Sequence, residues 1–208
     1  MFIDIIDKQY IYNHGVRQAE ISSLDQSRDE RYTFGMENFT RVNPALLHEN
    51  AADLIGRQWM LVTAGNTAHK RSWNTMTASW GGLGHLWNKD VAFVFVRPQR
   101  HTFEFTEKHK NLTLSFFGEE YRKALQFCGT KSGRDYDKAE QTGLTPVETP
   151  CGSTAFKEAR IILECEKLYA EFLNEKSFVR KDVVEECYPG RDFHRMYVCE
   201  ILDAWIKS

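Results

Sequence analysis

The stretch Asn74-Thr75-Met76-Thr77-Ala78-Ser79-Trp80-Gly81-Gly82 constrains this chain more than any other. Read with the two-residue period of a strand, Thr75, Thr77 and Ser79 share one face, and Met76, Ala78 and Trp80 share the other. One face carries short hydroxyls. The run ends in two glycines, where another group can approach the backbone closely. Such a strand suits neither a plain sheet edge nor a sealed core. It offers a flat, polar-edged ligand a row of backbone N–H and C=O groups. The plainer alternative is a Thr/Ser-rich strand feeding a glycine turn.

The flanking pattern predicts a mainly β chain with a few helices. Asn43-Pro44 through Gly56 reads as a helix with Asn43 as its cap, Pro44 in its first turn and Gly56 closing it. Trp59 to Thr63 reads as a strand, and Val91 to Val96 as a fully buried one. A helix is expected to follow with Thr102 as N-cap and Glu104 and Glu107 in its first turns. Asn111 to Phe117 then reads as a strand, Glu119 to Phe127 as a helix and the glycine-rich, charged segment after it as a loop. Ala159 to Leu168 and Arg195 to Leu202 are expected to close the sheet as strands, although the alternation Ile161, Leu163, Cys165 leaves an opposite face that is also partly apolar. Many strands without regular βαβ alternation predict a barrel rather than a doubly wound sheet.

At 208 residues, with 42% hydrophobic and 27% charged residues, the chain has the makings of one soluble domain with a sizeable core. Residues 1–35 are polar and charge-mixed apart from Phe2-Ile3-Asp4-Ile5-Ile6, so a weakly ordered extension is expected before a domain spanning 36–208. A net charge of -2 without any Lys/Arg run argues against a nucleic-acid partner. No apolar run has membrane-spanning length and no export signal is evident, so a cytoplasmic location without membrane association is the expectation. The cysteines Cys128, Cys151, Cys165, Cys187 and Cys199 form an odd set without Cys-x-x-Cys spacing, which disfavours a disulfide framework and a metal site. Cys165 and Cys199 read as buried thiols, and burial is also the favoured reading of Cys128.

Four separated segments carry a resemblance: Asn74 to Trp80; Val94-Phe95-Val96-Arg97-Pro98-Gln99-Arg100-His101-Thr102; Cys128-Gly129-Thr130-Lys131-Ser132-Gly133-Arg134-Asp135-Tyr136-Asp137-Lys138; and Asp192-Phe193-His194-Arg195-Met196-Tyr197-Val198. In this order and spacing the chain resembles the flavin reductase-like family, most nearly its flavoredoxin-type branch, from roughly Met36 to its end. The resemblance implies an FMN-binding split β-barrel acting as a homodimer, with flavin sites at or near the subunit interface.

By position, the resemblance puts Asn74, Thr75, Met76, Thr77, Ala78, Ser79 and Trp80 around the flavin ring and ribityl chain. Arg100 and Thr102, with Arg97 as a weaker candidate, would hold the phosphate at a helix start. Ser132 and Lys138 belong to the family's Ser-Gly-Arg-Asp-x-Asp-Lys pattern, and the lysine would approach the phosphate or a reduced, anionic flavin. His194 stands where the family commonly has a histidine near the flavin and nicotinamide, able to donate a hydrogen bond or bear positive charge. The implied activity is an oxidoreductase passing electrons from NADH or NADPH through FMN to free flavin, ferric iron or a redox partner. An electron carrier reduced by another protein and a non-catalytic flavin-binding protein are the alternatives.

Overall fold

A computed structural model describes residues 35–69 and 71–208. The expectation for residues 1–35 therefore falls, except for Gly35, outside the described residues. Eight antiparallel strands make the main sheet: β1 (Phe39–Val42), β2 (Met60–Gly65), β3 (Trp73–Ala78), β4 (Gly81–Leu86), β5 (Lys89–Val96), β6 (Asn111–Phe116), β9 (Ile161–Phe172) and β10 (Arg195–Lys207). A hairpin of β7 (Pro146–Glu148) and β8 (Thr154–Phe156) lies apart from it. The helices are α1 (His101–Lys108), α2 (Arg122–Thr130), α3 (Lys138–Thr142) and α4 (Lys181–Cys187).

The strands run in the order β3-β2-β6-β9-β10-β5-β4, with β1 added to the far half of β10. The sheet curls around one core but ends at β3 on one side and β4 on the other. Alternation fills that core: Leu112, Leu114 and Phe116 point in from β6, and Ile161, Leu163 and Cys165 from β9. The opposite face of the same strands carries a second core, where Leu61, Ile162 and Trp205 meet Leu125 and Cys128 of α2 and Ala155 and Phe156 of β8. This explains why β9 reads apolar on both faces. Even the outward Thr113 is covered, its hydroxyl donating to Thr154 O at 2.6 Å. Met36, buried to 1% exposure, is a working member of the second core rather than a mere boundary.

Several local expectations are corrected. Asn43 caps only a 3-10 turn over Pro44–Leu46; the chain then restarts at a second cap, Asn50, which opens a helical turn (Ala51–Asp53) running into a π turn (Leu54–Gln58). Gly56 lies inside that π turn and closes nothing. The turn drops Leu54 and Ile55 into the barrel, and Trp59 follows with φ 70°, so the next strand begins at Met60. The run from Asn74 to Gly82 is two strands, not one: β3 stops at Ala78, and Gly81 and Gly82 open β4. A Cβ on Gly81 would sit 2.8 Å from Phe93 O, which is why a glycine stands at that crossing. Arg100 takes the cap position of α1, leaving Thr102 buried in the helix's first turn. The predicted helix from Glu119 begins as a 3-10 turn, and the α-helix runs on to Thr130, so Cys128 lies in its last turn rather than after it. β9 and β10 extend well beyond their predicted ends, while β1, β4, the β7–β8 hairpin and α4 had no counterpart in the sequence reading.

The two-core arrangement is testable by truncation. Leu163→Ala, at 0% exposure, should cost roughly 2–5 kcal/mol in denaturant unfolding. Leu168→Ala, on the same strand but 38% exposed, should stay within about 0.5 kcal/mol of wild type.

Candidate functional site

Because β3 ends the sheet, its outer edge has no strand partner among the described residues. The Thr75 carbonyl turns to that edge and accepts from Lys138 Nζ at 2.7 Å. By the two-residue alternation, the backbone polar groups of Thr77 face the same way. The inner hydroxyl of Thr75 is satisfied by Thr63 at 2.8 Å, and Thr77 Oγ1 donates to Leu125 O. The hydroxyl face thus anchors β3 and leaves its backbone to face outward.

The end of α2 organises the cations. A helix's last carbonyls lack intrahelical partners and carry the negative end of its dipole. Cys128 O accepts from Lys138 Nζ at 2.9 Å and from Arg100 at 3.4 Å. Two of the ammonium's three donors are used this way. Burial pushes the Lys138 ammonium down to about 8; the Cys128 thiol opposes this shift and Arg100 adds to it. Burial likewise lifts Cys128 to about 11, so the thiol stays protonated and serves as packing.

The predicted residues divide between two cavities. Met76, Thr77, Ala78, Ser79, Trp80, Arg97, Arg100 and His194, joined by Phe95, line one of about 180 Å³. Asn74 and Lys138 line a broader cleft of about 840 Å³ with Arg71, His101, Arg134 and Tyr136. Thr75, Thr102 and Ser132 line neither. Thr102 instead accepts from Asn74 Nδ2 at 2.7 Å, pinning β3 to α1. Ser132 shapes its loop, its Oγ accepting from Arg134 N and its carbonyl from Asp135 N and Tyr136 N. Gly133 lies so close to Asn74 that a Cβ there would meet Oδ1 at 1.9 Å. Sequence reasoning passed over Gly133, Phe95 and Tyr188, and the glycine between Ser132 and Arg134 was the available signal.

Arg97 is spoken for. It pairs with Asp192, donates to Cys187 O at 2.9 Å, and lies 5.2 Å over the Tyr188 ring. Its observed work is to hold the segment between β9 and β10 against β5. That segment brings His194 beside Trp80 (ring centroids 5.1 Å apart) and Phe95 (6.4 Å). Burial, reinforced by Arg97 and opposed by Asp192, pushes the His194 imidazole down to about 4. The ring is therefore neutral at pH 7, which leaves hydrogen bonding and removes the positive charge that sequence reasoning also allowed.

A family model described as a flavin reductase like domain matches residues 53–208. The chain belongs to the flavin reductase-like family. Comparison with curated proteins finds no match. Among solved structures, flavoredoxin of Desulfovibrio vulgaris (Miyazaki F) is similar at 18% identity and TM-score 0.57, covering 80% of this chain and 78% of that one. An FMN-binding protein from Thermus thermophilus with bound 1-cyclohex-2-enone gives 18% and 0.55, over 79% and 76%. Nitrilotriacetate monooxygenase component B from Bacillus cereus gives 17% and 0.56, over 80% and 81%. The fold is the split β-barrel of FMN-binding proteins. Among the described residues no helix is long and apolar enough to cross a membrane, and no group of three or more His, Cys, Asp or Glu side chains could hold a metal ion.

Two outcomes follow from this geometry. Gly133→Ala should destabilise the fold by about 1–3 kcal/mol, because either Asn74 or the loop must give way, read as a lowered denaturation midpoint. The unfolded chain protonates histidine near 6.5 but folded His194 only near 4, so stability is lost as pH falls through that window. His194→Gln should lose less over the same range, by about 1–2 kcal/mol after solvent screening, in urea titrations at pH 7 and pH 4.5.

Proposed function

We propose that the chain binds FMN along the open edge of β3 and acts as a flavin reductase-type oxidoreductase. The carrying observation is that unpaired edge, with cations gathered at the end of α2 beside it. The residues present suit such a group. Trp80, Phe95 and His194 line a cavity, the backbone of β3 supplies donors and acceptors for a ring edge, and Lys138 keeps an N–H in reserve near Arg100. In this reading the segment from Asn74 to Trp80 carries the ring and ribityl chain. Arg100 and Lys138 face the phosphate. Thr102 acts by positioning Asn74, and Ser132 by shaping the loop beside it. Bound FMN would supply hydride acceptance from NADH or NADPH and onward electron delivery to free flavin, ferric iron or a protein partner.

A homodimer belongs to the same proposal. Trp80 forms part of the pocket wall yet is 45% exposed, which a second copy would cover. Likeness to a flavoredoxin supports a second reading, a carrier reduced by a protein rather than by a nicotinamide.

Purified protein should show a flavin spectrum or take up FMN at about one per chain; a colourless protein that binds none in titration sinks the proposal. Stopped-flow reduction of the holoprotein by NADH or NADPH within seconds supports the reductase, whereas reduction only by a redox protein supports the carrier. Arg100→Ala should weaken FMN by about 1.5–3 kcal/mol and riboflavin far less, because one charge-assisted phosphate contact is lost. Equal losses for both flavins would remove Arg100 from the phosphate.

A further inference from the structure

We propose that Tyr188 is a positioning residue: its hydroxyl fixes His194 as the Nε2–H tautomer, so that the smaller cavity presents a neutral N–H donor to an acceptor atom on a ligand's ring edge. The inference deepens the flavin reading of that cavity and rests on it for the identity of the acceptor, a carbonyl oxygen or a ring nitrogen.

Tyr188 OH and His194 Nδ1 are 2.8 Å apart. A phenol hydroxyl and a neutral imidazole can share one hydrogen bond in two ways, and each fixes the tautomer of the ring. If Nδ1–H donated, the phenolic proton would need another acceptor. Tyr188 is 3% exposed, and the bond to Nδ1 is the one its hydroxyl makes among the described residues. The phenol therefore donates and Nδ1 accepts. The proton of the imidazole is left on Nε2, which makes no hydrogen bond among the described residues, and the ring lines the cavity beside Trp80 and Phe95.

The surroundings hold this choice in place. Tyr188 closes α4, its N–H donating to Val184 O at 2.8 Å, and Arg191 N donates back to Tyr188 O at 3.0 Å. Phe193 packs against the phenol with ring centroids 4.9 Å apart. The charged groups around the pair are Arg97 from the end of β5 and Asp192 from the loop, bonded to each other, and Arg191, whose guanidinium donates to Tyr188 O at 3.2 Å, with the Cys187 thiol on α4 next in the chain. Arg97, stacked over Tyr188 and bonded to Cys187 O, ties α4 to the barrel strand that bears Phe95. Burial keeps the phenol protonated and the imidazole neutral at pH 7, so the donor role needs no titration to operate.

The test uses the full chain and Tyr188→Phe, which keeps the ring and its packing and removes the hydroxyl alone. Histidine-labelled wild type, without added flavin, should give ¹⁵N signals of an Nε2–H imidazole with a hydrogen-bonded Nδ1. In Tyr188→Phe the Nδ1 signal should move to that of an unbonded nitrogen, and the His194 midpoint should rise by about one pH unit at near-unchanged melting temperature. An Nδ1–H signal in wild type, or identical His194 signals in the two proteins, overturns the proposal whether or not flavin binds. In titrations with FMN and with riboflavin, Tyr188→Phe should weaken both by a similar factor, about three- to tenfold, because the contact is to the ring. Unchanged affinity for both overturns the presentation of Nε2–H to a ligand. If wild type binds neither flavin, the functional reading fails, and the ¹⁵N signals alone decide the role of Tyr188.

Discussion

Lys138 is a cation held away from water by backbone. Its ammonium bridges the Thr75 carbonyl on β3 and the Cys128 carbonyl at the end of α2, while its own chain segment begins α3. Three elements distant in sequence thus meet on one nitrogen. Burial would make a lone ammonium costly, and two carbonyls at a helix's negative end offset much of that cost. The bond to Cys128 also draws Arg100 alongside, so two cations gather at one helix end. Removing Lys138 would therefore unsettle the edge of β3 as well as the local field.

The site depends next on how β3 is held while its edge stays open. Thr63, Leu125 and Thr102 engage Thr75, Thr77 and Asn74 respectively. Each bond fastens the strand to a different neighbour: β2, α2 and α1. A strand so anchored keeps its unpaired backbone groups in fixed positions without a partner strand, and fixed positions are what recognition of a ligand edge requires.

Much of this was legible in the chain. The alternation in the run from Asn74 to Ala78 located the edge strand β3, and a continuous apolar run located β5. Local pattern failed where tertiary packing assigned the roles. Thr102 has a cap's chemistry, but Arg100 takes the cap position, and the threonine turns inward to meet Asn74. Arg97 looks like a phosphate ligand until Asp192, ninety-five residues away in sequence, claims it. β9 resisted a one-sided reading because both its faces are buried, one by the barrel and one by α2 and the hairpin. The β4 strand was hidden by Gly81, Gly82 and Gly84, residues that mark turns in sequence, although only Gly81 is needed for a close crossing. Family resemblance supplied the grouping of the four motifs. Periodicity alone gave no reason to join them.

β10 pairs with β5 through its first half and, past register shifts at Val198/Cys199 and Ile201/Asp203, with β1 through its second. The partner of Phe39 is Lys207, so the first strand described is secured by the last. During synthesis β1 cannot pair with β10 until Lys207 has emerged, and Met36 and Phe39 wait with it for Trp205 to join their core. Closing so long a loop comes at an entropic cost that local contacts cannot repay in advance. The barrel's assembly is thereby timed by β10: the open edge at β3 is made earlier in the chain, but the pairing that secures β1 forms only when β10 arrives.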